Sequence, residues 1–280
     1  MAEHPVSIDR YAVVGNPVAH SLSPRIHLSF AGQMQQQISY QAIELAIDDF
    51  PAQIEKLQQQ GLKGANVTVP FKQQAWEICS QRSPRAEQAG AVNTLSFNDN
   101  GEISGDNTDG TGLTRDLQDN YDIRIPHRKI LILGAGGAVR GVLAPLLALE
   151  PERLVIANRT LKKAEILASD FISAGAVSTC GYDDLGADKF DLIINATAAG
   201  LSNQVPPLNE KVIGSNTICY DLMYRLDGPT AFVAWARSRG AASAIDGLGM
   251  LVEQAAESFY IWRGVRVNTS EVIDNLRDKF

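Results

Sequence analysis

The 280-residue chain is poor in cysteine and histidine and carries no surplus of positive charge. Its three cysteines, Cys79, Cys180 and Cys219, lie far apart and form no C-x-x-C pair, which argues against a disulfide scaffold and a zinc finger. His20 and His27 have no third ligand near them in the sequence, so we predict no bound metal. The net charge of -7 argues against a nucleic-acid partner.

Long apolar runs are also missing, since none approaches the roughly 18 residues of a membrane-spanning helix. The first ten residues, MAEHPVSIDR, lack the charged-then-apolar order of a secretion signal. We therefore expect no membrane partner and a cytoplasmic location. With 45% hydrophobic residues the chain can bury a sizeable core, and its length favours two domains.

The first part of the chain alternates short β-branched runs with helical stretches, which is typical of a mostly parallel sheet covered by helices. We predict strands at YAVVG from Tyr11, SYQAIEL from Ser39, GANVTV from Gly64 and VNTLSF from Val92, and helices from near Ser23, Asp48 and Phe71. Ser23 followed by Pro24 predicts the start of a helix, because the serine hydroxyl can cap the helix and proline suits its first turn. The segment FNDNGEISGDN predicts a hairpin that turns at Asn100 and Gly101.

The segment KILILGAGGAVRG, from Lys129, predicts a phosphate-binding turn between a strand and a helix. Gly134 lets the chain reverse tightly, while Gly136 and Gly137 remove side chains where a pyrophosphate must approach the backbone. The free amides at the helix start would face the anion. Although Val139 replaces the third glycine or alanine of G-x-G-x-x-G, the pattern predicts a Rossmann-type dinucleotide domain.

The next apolar run, RLVIAN from Arg153, ends where an NAD-binding protein would place an acid on the ribose hydroxyl. Asn158, Arg159 and Thr160 stand there instead, and Lys163 follows within reach. A guanidinium can bind the extra phosphate of NADP through two charge-assisted hydrogen bonds, so NADP is the predicted cofactor. The alternative is that Arg159 merely ends a strand in solvent.

The rest of the chain continues the alternation of strand and helix. We predict strands at Leu131, Leu154, Val177, Leu192 and Thr217, a helix from Pro229 and a short strand near Ser243. Apolar positions at helical spacing over 248–261 and 272–276 predict helices that pack back on the first domain. The expected domains are residues 1–109 with 246–280 for the substrate, and residues 110–245 for NADP.

Polar residues follow several strands of the first part, where ligands collect in open α/β sheets. Ser21, Ser23, Thr68, Lys72, Asn93 and Asp109 occupy these strand or loop ends. Such donors and acceptors, without a basic cluster, suit a small polyol acid. Its carboxylate would take the two serine hydroxyls, and its own hydroxyls would meet Asn93, Asp109 and Lys72.

At this point the chain closely resembles the shikimate dehydrogenase family over nearly its whole length. The matching motifs are HSLSP at 20–24, NVTVPFK at 66–72, AGAVNT at 89–94, DNTDG at 106–110, GAGGA at 134–138, NRT at 158–160, NATAAG at 195–200, DLMY at 221–224 and DGLGMLVEQAA at 246–256. The resemblance implies a reversible NADPH-dependent reduction of 3-dehydroshikimate to shikimate, in aromatic amino-acid biosynthesis.

The resemblance also implies roles for individual residues. Ser21 and Ser23 would bind the substrate carboxylate, with Tyr224 nearby, and the ring hydroxyls would meet Thr68, Lys72, Asn93, Asp109 and Gln254. The pyrophosphate would lie on Gly134, Ala135, Gly136, Gly137 and Ala138, the adenosine phosphate on Asn158, Arg159, Thr160 and Lys163, and the nicotinamide against Leu222, Gly247 and Met250. Gln254 also stands out by itself, because a buried amide on an apolar helical face needs partners.

Lys72 and Asp109 are the predicted catalytic residues. Hydride arriving at a ketone carbon leaves negative charge on oxygen, and a donor within about 3 Å can supply the proton. We expect Lys72 to be the more important member, with Asp109 chiefly orienting it and a substrate hydroxyl. By spacing alone the two could equally form a structural ion pair.

Two other functions remain open on the sequence. A quinate/shikimate dehydrogenase with relaxed specificity is disfavoured by Arg159, because an acid after Asn158 would mark NAD use. A non-catalytic NADP sensor would need neither Lys72 nor Asp109. The expected partner is a small-molecule substrate, and a homodimer is left open.

Overall fold

The computed structural model describes residues 8–186, 188–202 and 204–278. The chain divides into two compact units, Met1–Thr108 with Ala255–Val272, and Asp109–Gln254 with Ile273–Phe280. The division places residues 246–254 with the second unit, whereas the sequence-based boundaries assign them to the first. The predicted domain boundaries stay a prediction.

The first unit contains one mixed sheet and its covering helices. Its strands are β1 Asp9–Gly15, β2 Ile38–Glu44, β3 Leu62–Val67, β4 Gln81–Arg82, β5 Thr94–Phe97 and β6 Ile103–Asp106. Its helices are α1 Ser23–Gln33, α2 Phe50–Gln59, α3 Lys72–Ile78 and α4 Pro84–Ala89. The strand order is β2-β1-β3-β5-β6-β4, and β5 runs antiparallel to both its neighbours while the other pairs are parallel. The expected mostly parallel sheet is confirmed.

Three local features of this unit differ from the sequence-based expectation. The residue before α1 is Leu22, and Ser23 is the first residue inside the helix, so the predicted Ser23 cap was wrong. The β5–β6 hairpin is confirmed, but its turn is one residue longer than predicted. Asn98 accepts from the N–H of Gly101, whose φ is +87°. The short β4 and α4 were missed, although Ser83 accepts from the N–H of Ala86 and caps α4.

The second unit is a six-stranded sheet covered on two faces. Its strands are β7 Lys129–Leu133, β8 Arg153–Ala157, β9 Ser178–Cys180, β10 Leu192–Asn195, β11 Ile218–Asp221 and β12 Ser243–Ile245. Its helices are α5 Asp109–Arg115, α6 Gly137–Leu147, α7 Leu161–Asp170 and α8 Ala231–Ser238. A π-helical turn, Asp116–Asn120, continues α5. Two apolar clusters cover the two faces of the sheet.

The strand order of this second sheet is β12-β11-β10-β7-β8-β9, and every pair is parallel. Counted within the unit, this is the 3-2-1-4-5-6 order of a doubly wound dinucleotide-binding fold. The order reverses between β7 and β10, so the crevice beyond their carboxyl ends is the expected ligand position. The predicted Rossmann-type domain is confirmed.

Two helices close the chain, α9 Leu248–Arg263 and α10 Thr269–Arg277. The segment Ala255–Val272 groups with the first unit, whereas the residues of α10 from Ile273 group with the second, so the packing of both helices on the first domain stays a prediction. Trp262 shows how it packs, because its Nε1 donates to the carbonyl of Leu95 at 3.0 Å. A Cβ on Gly64 would lie only 2.5 Å from the same Nε1, so β3 needs glycine there. Among the described residues no helix is long and apolar enough to cross a membrane.

Candidate active site

The two serines predicted to bind a carboxylate lie side by side at the start of α1. The Ser21 hydroxyl donates to that of Ser23 at 3.1 Å and accepts from the backbone N–H of Ser23 at 3.2 Å. Ser21 is half-buried and Ser23 is buried. The pair therefore presents two hydroxyls at one point of the first unit, as a carboxylate with two oxygens requires.

Thr68 and Lys72 lie in the turn that connects β3 to α3. The backbone N–H of Thr68 donates to the carbonyl of Val14, and a Cβ on Gly15 would lie 2.4 Å from Cγ2 of Thr68. Glycine at residue 15 therefore allows β1 and this turn to approach. Lys72 is the first residue of α3, and its carbonyl accepts from the N–H of Val92 at 2.8 Å. The segment of Asn93 is thus held beside that of Lys72.

Asn93 is only 2% exposed and is locked by hydrogen bonds. Its Oδ1 accepts from the Thr94 hydroxyl at 2.9 Å and from the backbone N–H of Thr108 at 2.9 Å. Its Nδ2 donates to the Thr108 hydroxyl at 2.9 Å. These bonds fix the amide plane, so Asn93 combines the predicted ligand-binding position with a structural role.

The glycine-rich turn of the second unit has the shape that a pyrophosphate requires. Gly134 has φ +106°, and a Cβ there would approach the carbonyl oxygen of Ala196 to 3.1 Å. In contrast, a Cβ on Gly136 or Gly137 would meet no described atom within 4 Å, so the packing of the described residues gives no reason for glycine there. Both residues are exposed at the first turn of α6. The open space and the amides of α6 fit the pyrophosphate of a dinucleotide.

Two cations stand at the end of β8, where an acid would mark NAD. Arg159 and Lys163 are exposed and form no ion pair with any residue in the described part of the chain. The Asn158 side chain donates to the carbonyl of Thr160 at 2.8 Å, which shapes the turn before α7. Two unpaired cations beside a helix N-terminus are unfavourable against the helix dipole unless an anion joins them. The set fits the phosphate that distinguishes NADP.

Two of the residues predicted to line a nicotinamide pocket, Leu222 and Gly247, lie in close contact. A Cβ on Gly247 would lie 2.5 Å from the carbonyl oxygen of Leu222, so only glycine fits. The N–H of Gly247 donates to the carbonyl of Met223 at 2.9 Å. Met250 is 9% exposed and packs in the core of the second unit. Leu222 and Gly247 are therefore brought together, while Met250 lies mostly within the core.

Asp109 and Gln254 belong to the second unit, in α5 and α9. Asp109 is the first residue of α5 and is only 5% exposed. A Cβ on Gly112 would lie 2.7 Å from Cβ of Gln254, so α5 approaches α9 closely. Gln254 is half-buried, and its Nε2 donates to the carbonyl of Leu251 at 2.9 Å. The helix thus supplies one partner of this amide, and binding of ligand hydroxyls by Gln254 stays a prediction. Tyr224 is half-buried after β11.

Three family models match successive parts of the chain. They are the shikimate dehydrogenase substrate binding domain at residues 13–95, the shikimate / quinate 5-dehydrogenase at 117–204 and the shikimate 5'-dehydrogenase C-terminal domain at 247–277. A shikimate dehydrogenase (NADP(+)) of Hahella chejuensis is 55% identical over 96% of this chain and 99% of its own length. The chain belongs to the shikimate dehydrogenase family.

Solved structures agree with this family. An Ael1 enzyme from Pseudomonas putida is 46% identical, with a TM-score of 0.89 over 96% of this chain and 98% of that one. The shikimate 5-dehydrogenase of Thermus thermophilus, solved with NADP(H) and shikimate, is 31% identical, with a TM-score of 0.85. That alignment covers 98% of this chain and all of the other.

The sequence reasoning quoted the NATAAG motif of the family but assigned no role to Asn195. This residue is fully buried at the end of β10, beside the point where the strand order reverses. Its Nδ2 donates to Oδ1 of Asp221 at 3.0 Å, and its Oδ1 accepts from the N–H and the hydroxyl of Thr197. Asn195 therefore shapes the loop that faces Gly134. A polar residue ending an apolar strand is the signal that could have found it.

The cysteines have no feature of reactive thiols. Burial raises the pKa of Cys79 and of Cys219 to about 12, and burial is the largest of the effects that raise the pKa of Cys180. All three are free rather than paired in disulfides. In the described part of the chain no group of three or more His, Cys, Asp and Glu side chains could hold a metal ion.

Proposed function

We propose that this chain catalyses the reversible NADPH-dependent reduction of 3-dehydroshikimate to shikimate, a step of aromatic amino-acid biosynthesis. The observation that carries the proposal is the 55% identity with a shikimate dehydrogenase (NADP(+)) over 96% of the chain. Independent support comes from the open glycines of the turn after β7 and from the unpaired cations at the end of β8.

The cofactor is NADP, held by the second unit. Gly134, Ala135, Gly136, Gly137 and Ala138 would hold the pyrophosphate, and Asn158, Arg159, Thr160 and Lys163 would hold the adenosine phosphate. Leu222, Gly247 and Met250 would face the nicotinamide. When bound, the reduced cofactor supplies the hydride that reaches the ketone carbon.

The substrate is held by hydroxyl, amide and charged side chains. Ser21 and Ser23 bind its carboxylate, with Tyr224 nearby, and Thr68, Lys72, Asn93, Asp109 and Gln254 meet the ring oxygens. The hydrogen bonds that already lock Ser21, Ser23 and Asn93 support this part of the proposal, because a locked donor loses little entropy when it binds a ligand.

Lys72 donates the proton in the direction of reduction. The developing negative charge on the ketone oxygen is stabilised by the ammonium group, which transfers one proton as the C–O bond becomes that of an alcohol. Asp109 orients Lys72 and an adjacent substrate hydroxyl. In the reverse direction Lys72 takes the proton back from the alcohol.

The direct test is the absorbance of reduced nicotinamide after mixing the protein with a substrate and a cofactor. We expect a steady rise with shikimate and NADP, and a rate at least tenfold lower with quinate and NAD. A faster reaction of quinate with NAD would favour the relaxed quinate/shikimate enzyme. If NADP bound by calorimetry but neither mixture reacted, a sensing role would replace catalysis.

We also propose a cytoplasmic location and small molecules as the binding partners. The free thiols support a reducing compartment, and the net charge of -7 does not favour nucleic acid. The homodimer stays a prediction, which light scattering of the purified chain at several concentrations would test.

A further inference from the structure

Six buried polar side chains form a continuous hydrogen-bonded series inside the first unit. We call Tyr40, Asn66, Ser258, Thr94, Asn93 and Thr108 the buried polar chain; all six are at most 6% exposed. Of its members only Asn93 has a proposed contact with substrate. Tyr40 comes from β2, Asn66 from β3, Thr94 from β5 and Ser258 from α9, so the series ties four elements together.

Tyr40 begins this series next to α1. Its hydroxyl donates to Oδ1 of Asn66 at 2.7 Å, since an amide oxygen can only accept. The Tyr40 ring stacks on His27 with centroids 4.3 Å apart, and His27 lies one helical turn after Ser23 in α1. Tyr40 is thus held by its ring and by its hydroxyl.

The Asn66 side chain connects Tyr40 to Asn93 and to Ser258 through hydrogen bonds. Its Nδ2 donates to the carbonyl of Asn93 at 3.2 Å and to the Ser258 hydroxyl at 2.9 Å. A flipped amide would place two oxygens face to face at the Asn93 carbonyl and is excluded. Asn66 therefore has a single orientation, which both Tyr40 and Ser258 require.

Ser258 completes the path to the Asn93 side chain. The Thr94 hydroxyl donates to Oδ1 of Asn93 at 2.9 Å, so Thr94 must accept from Ser258 across their 2.8 Å contact. The Thr108 hydroxyl lies 3.3 Å from the same Ser258 oxygen. These donors consequently run in one direction, from Tyr40 through Asn66, Ser258 and Thr94 to Oδ1 of Asn93.

We infer that Tyr40 and Ser258 are positioning residues, which hold Asn93 in the orientation that binds a ring hydroxyl of the substrate. This inference rests on the proposed function. Neither side chain needs to touch the substrate. Each acts by keeping a neighbouring donor or acceptor occupied, and a buried polar group that loses its partner reorients or leaves an unmet bond.

The experiment compares Tyr40→Phe with Thr217→Val in the full chain. Both changes remove one buried hydroxyl and keep the shape of the side chain. Thr217 is 2% exposed, and its hydroxyl donates to the Phe190 carbonyl in the second unit. We expect Tyr40→Phe to raise KM for shikimate about five- to thirtyfold, with kcat and KM for NADP within about threefold of the wild type. Thr217→Val should lower Tm similarly and leave KM for shikimate unchanged.

A double-mutant cycle tests whether the effect passes through Asn93. Ser258→Ala should raise KM for shikimate about three- to tenfold in the wild-type background and by less than about twofold in Asn93→Ala. Equal factors in both backgrounds would overturn the role of Ser258, and an unchanged KM in Tyr40→Phe would overturn that of Tyr40. Failure of the proposed function would look different, because the wild-type chain itself would then not oxidise shikimate.

Discussion

The two sheets of this protein differ in the chemical groups that they offer to a ligand. In the second unit every strand pair is parallel, the strands are mostly apolar with polar Asn195 and Asp221 at their carboxyl ends, and the proposed ligand-binding features are glycines, backbone amides and two exposed cations. In the first unit one strand is reversed, and amides and hydroxyls are buried in the sheet itself. A dinucleotide with a uniform pyrophosphate can be read by the main chain, whereas a small ring with distinct hydroxyls needs side chains of fixed orientation.

This contrast predicts where substitutions act. Substitutions in the first unit should weaken substrate binding because they remove functional groups. Substitutions in the glycine-rich turn should weaken cofactor binding because the added side chains fill the space for the pyrophosphate. Stability need not fall in either case, because the critical positions carry little of the apolar core.

Lys72→Ala should have the largest effect on activity. We expect kcat to fall by roughly 10² to 10⁴, because the proton donor is lost, with a smaller change in KM. Steady-state kinetics with shikimate and NADP measures both. Lys63→Ala is the matched control, since that exposed lysine pairs with Asp99 at 2.9 Å. A Lys72 variant that keeps most of its turnover would remove this residue from the mechanism.

Gly136→Val should be next and should affect only the cofactor. The added side chain meets no described atom of the protein within 4 Å at Cβ, and φ of -101° suits any residue, so the fold should be retained. We expect NADP to bind about a hundredfold more weakly, as titration calorimetry would measure, because the side chain fills the pyrophosphate position. Gly32→Val, at another glycine with open space, should bind NADP normally. Normal binding by Gly136→Val would mean that the pyrophosphate lies elsewhere.

Arg159→Ala should weaken the binding of NADPH by about thirtyfold, because a charge-assisted hydrogen-bonded pair contributes about 2 kcal/mol. NADH, which lacks the extra phosphate, should bind nearly as before. Fluorescence titration with the two reduced cofactors gives the ratio. Arg153→Ala supplies the control at the other end of β8, where the guanidinium pairs with Asp188. Equal losses for both cofactors in Arg159→Ala would contradict phosphate binding at this position.

His27 should produce the smallest effect, and it concerns stability alone. Burial lowers the pKa of this histidine to about 3, whereas in the unfolded chain the imidazole titrates near its ordinary pKa of 6.5. Between these values the unfolded state binds the additional proton, so the free energy of unfolding falls as the pH is lowered. The contribution is at most about 1.4 kcal/mol per pH unit.

The test for His27 is chemical denaturation at pH 7 and pH 5.5. His27→Phe keeps an aromatic ring against Tyr40 and should show a smaller loss of stability on acidification than the wild type. His127→Asn, at an exposed residue with φ +63°, should lose as much as the wild type. Identical losses in all three proteins would show that His27 is not held neutral.

Sequence reasoning succeeded where the signal is local. The turn after β7 and the cations after β8 each lie within a few residues of the strand that presents them, and periodicity is enough to place those strands. The prediction for Ser23 failed because Leu22 takes the position before α1. The bond from Gln254 to a backbone carbonyl one turn earlier was also not predicted. Neither feature is visible in residue type.

The buried polar chain could not have been found by such reasoning. Asn66 and Ser258 are 192 residues apart, and Tyr40 and Asn66 are separated by 26. Each residue alone looks like an ordinary polar position in an apolar stretch. Only the packing of α9 on the first sheet shows that they satisfy one another, because hydrogen-bond partners are set by tertiary structure.

Gly110 connects the proposed catalytic residue Asp109 to α6, the helix that follows the proposed cofactor-binding turn. It follows Asp109 directly, and a methyl group on it would lie 2.3 Å from Cγ of Pro145 in α6. Helix α6 begins at Gly137, so the same helix contains Pro145 and the backbone amides proposed to bind the pyrophosphate. A bulkier residue at position 110 would displace α6. The displacement would disturb both Asp109 and the amides at the start of α6, although residue 110 is itself not a proposed ligand-binding residue.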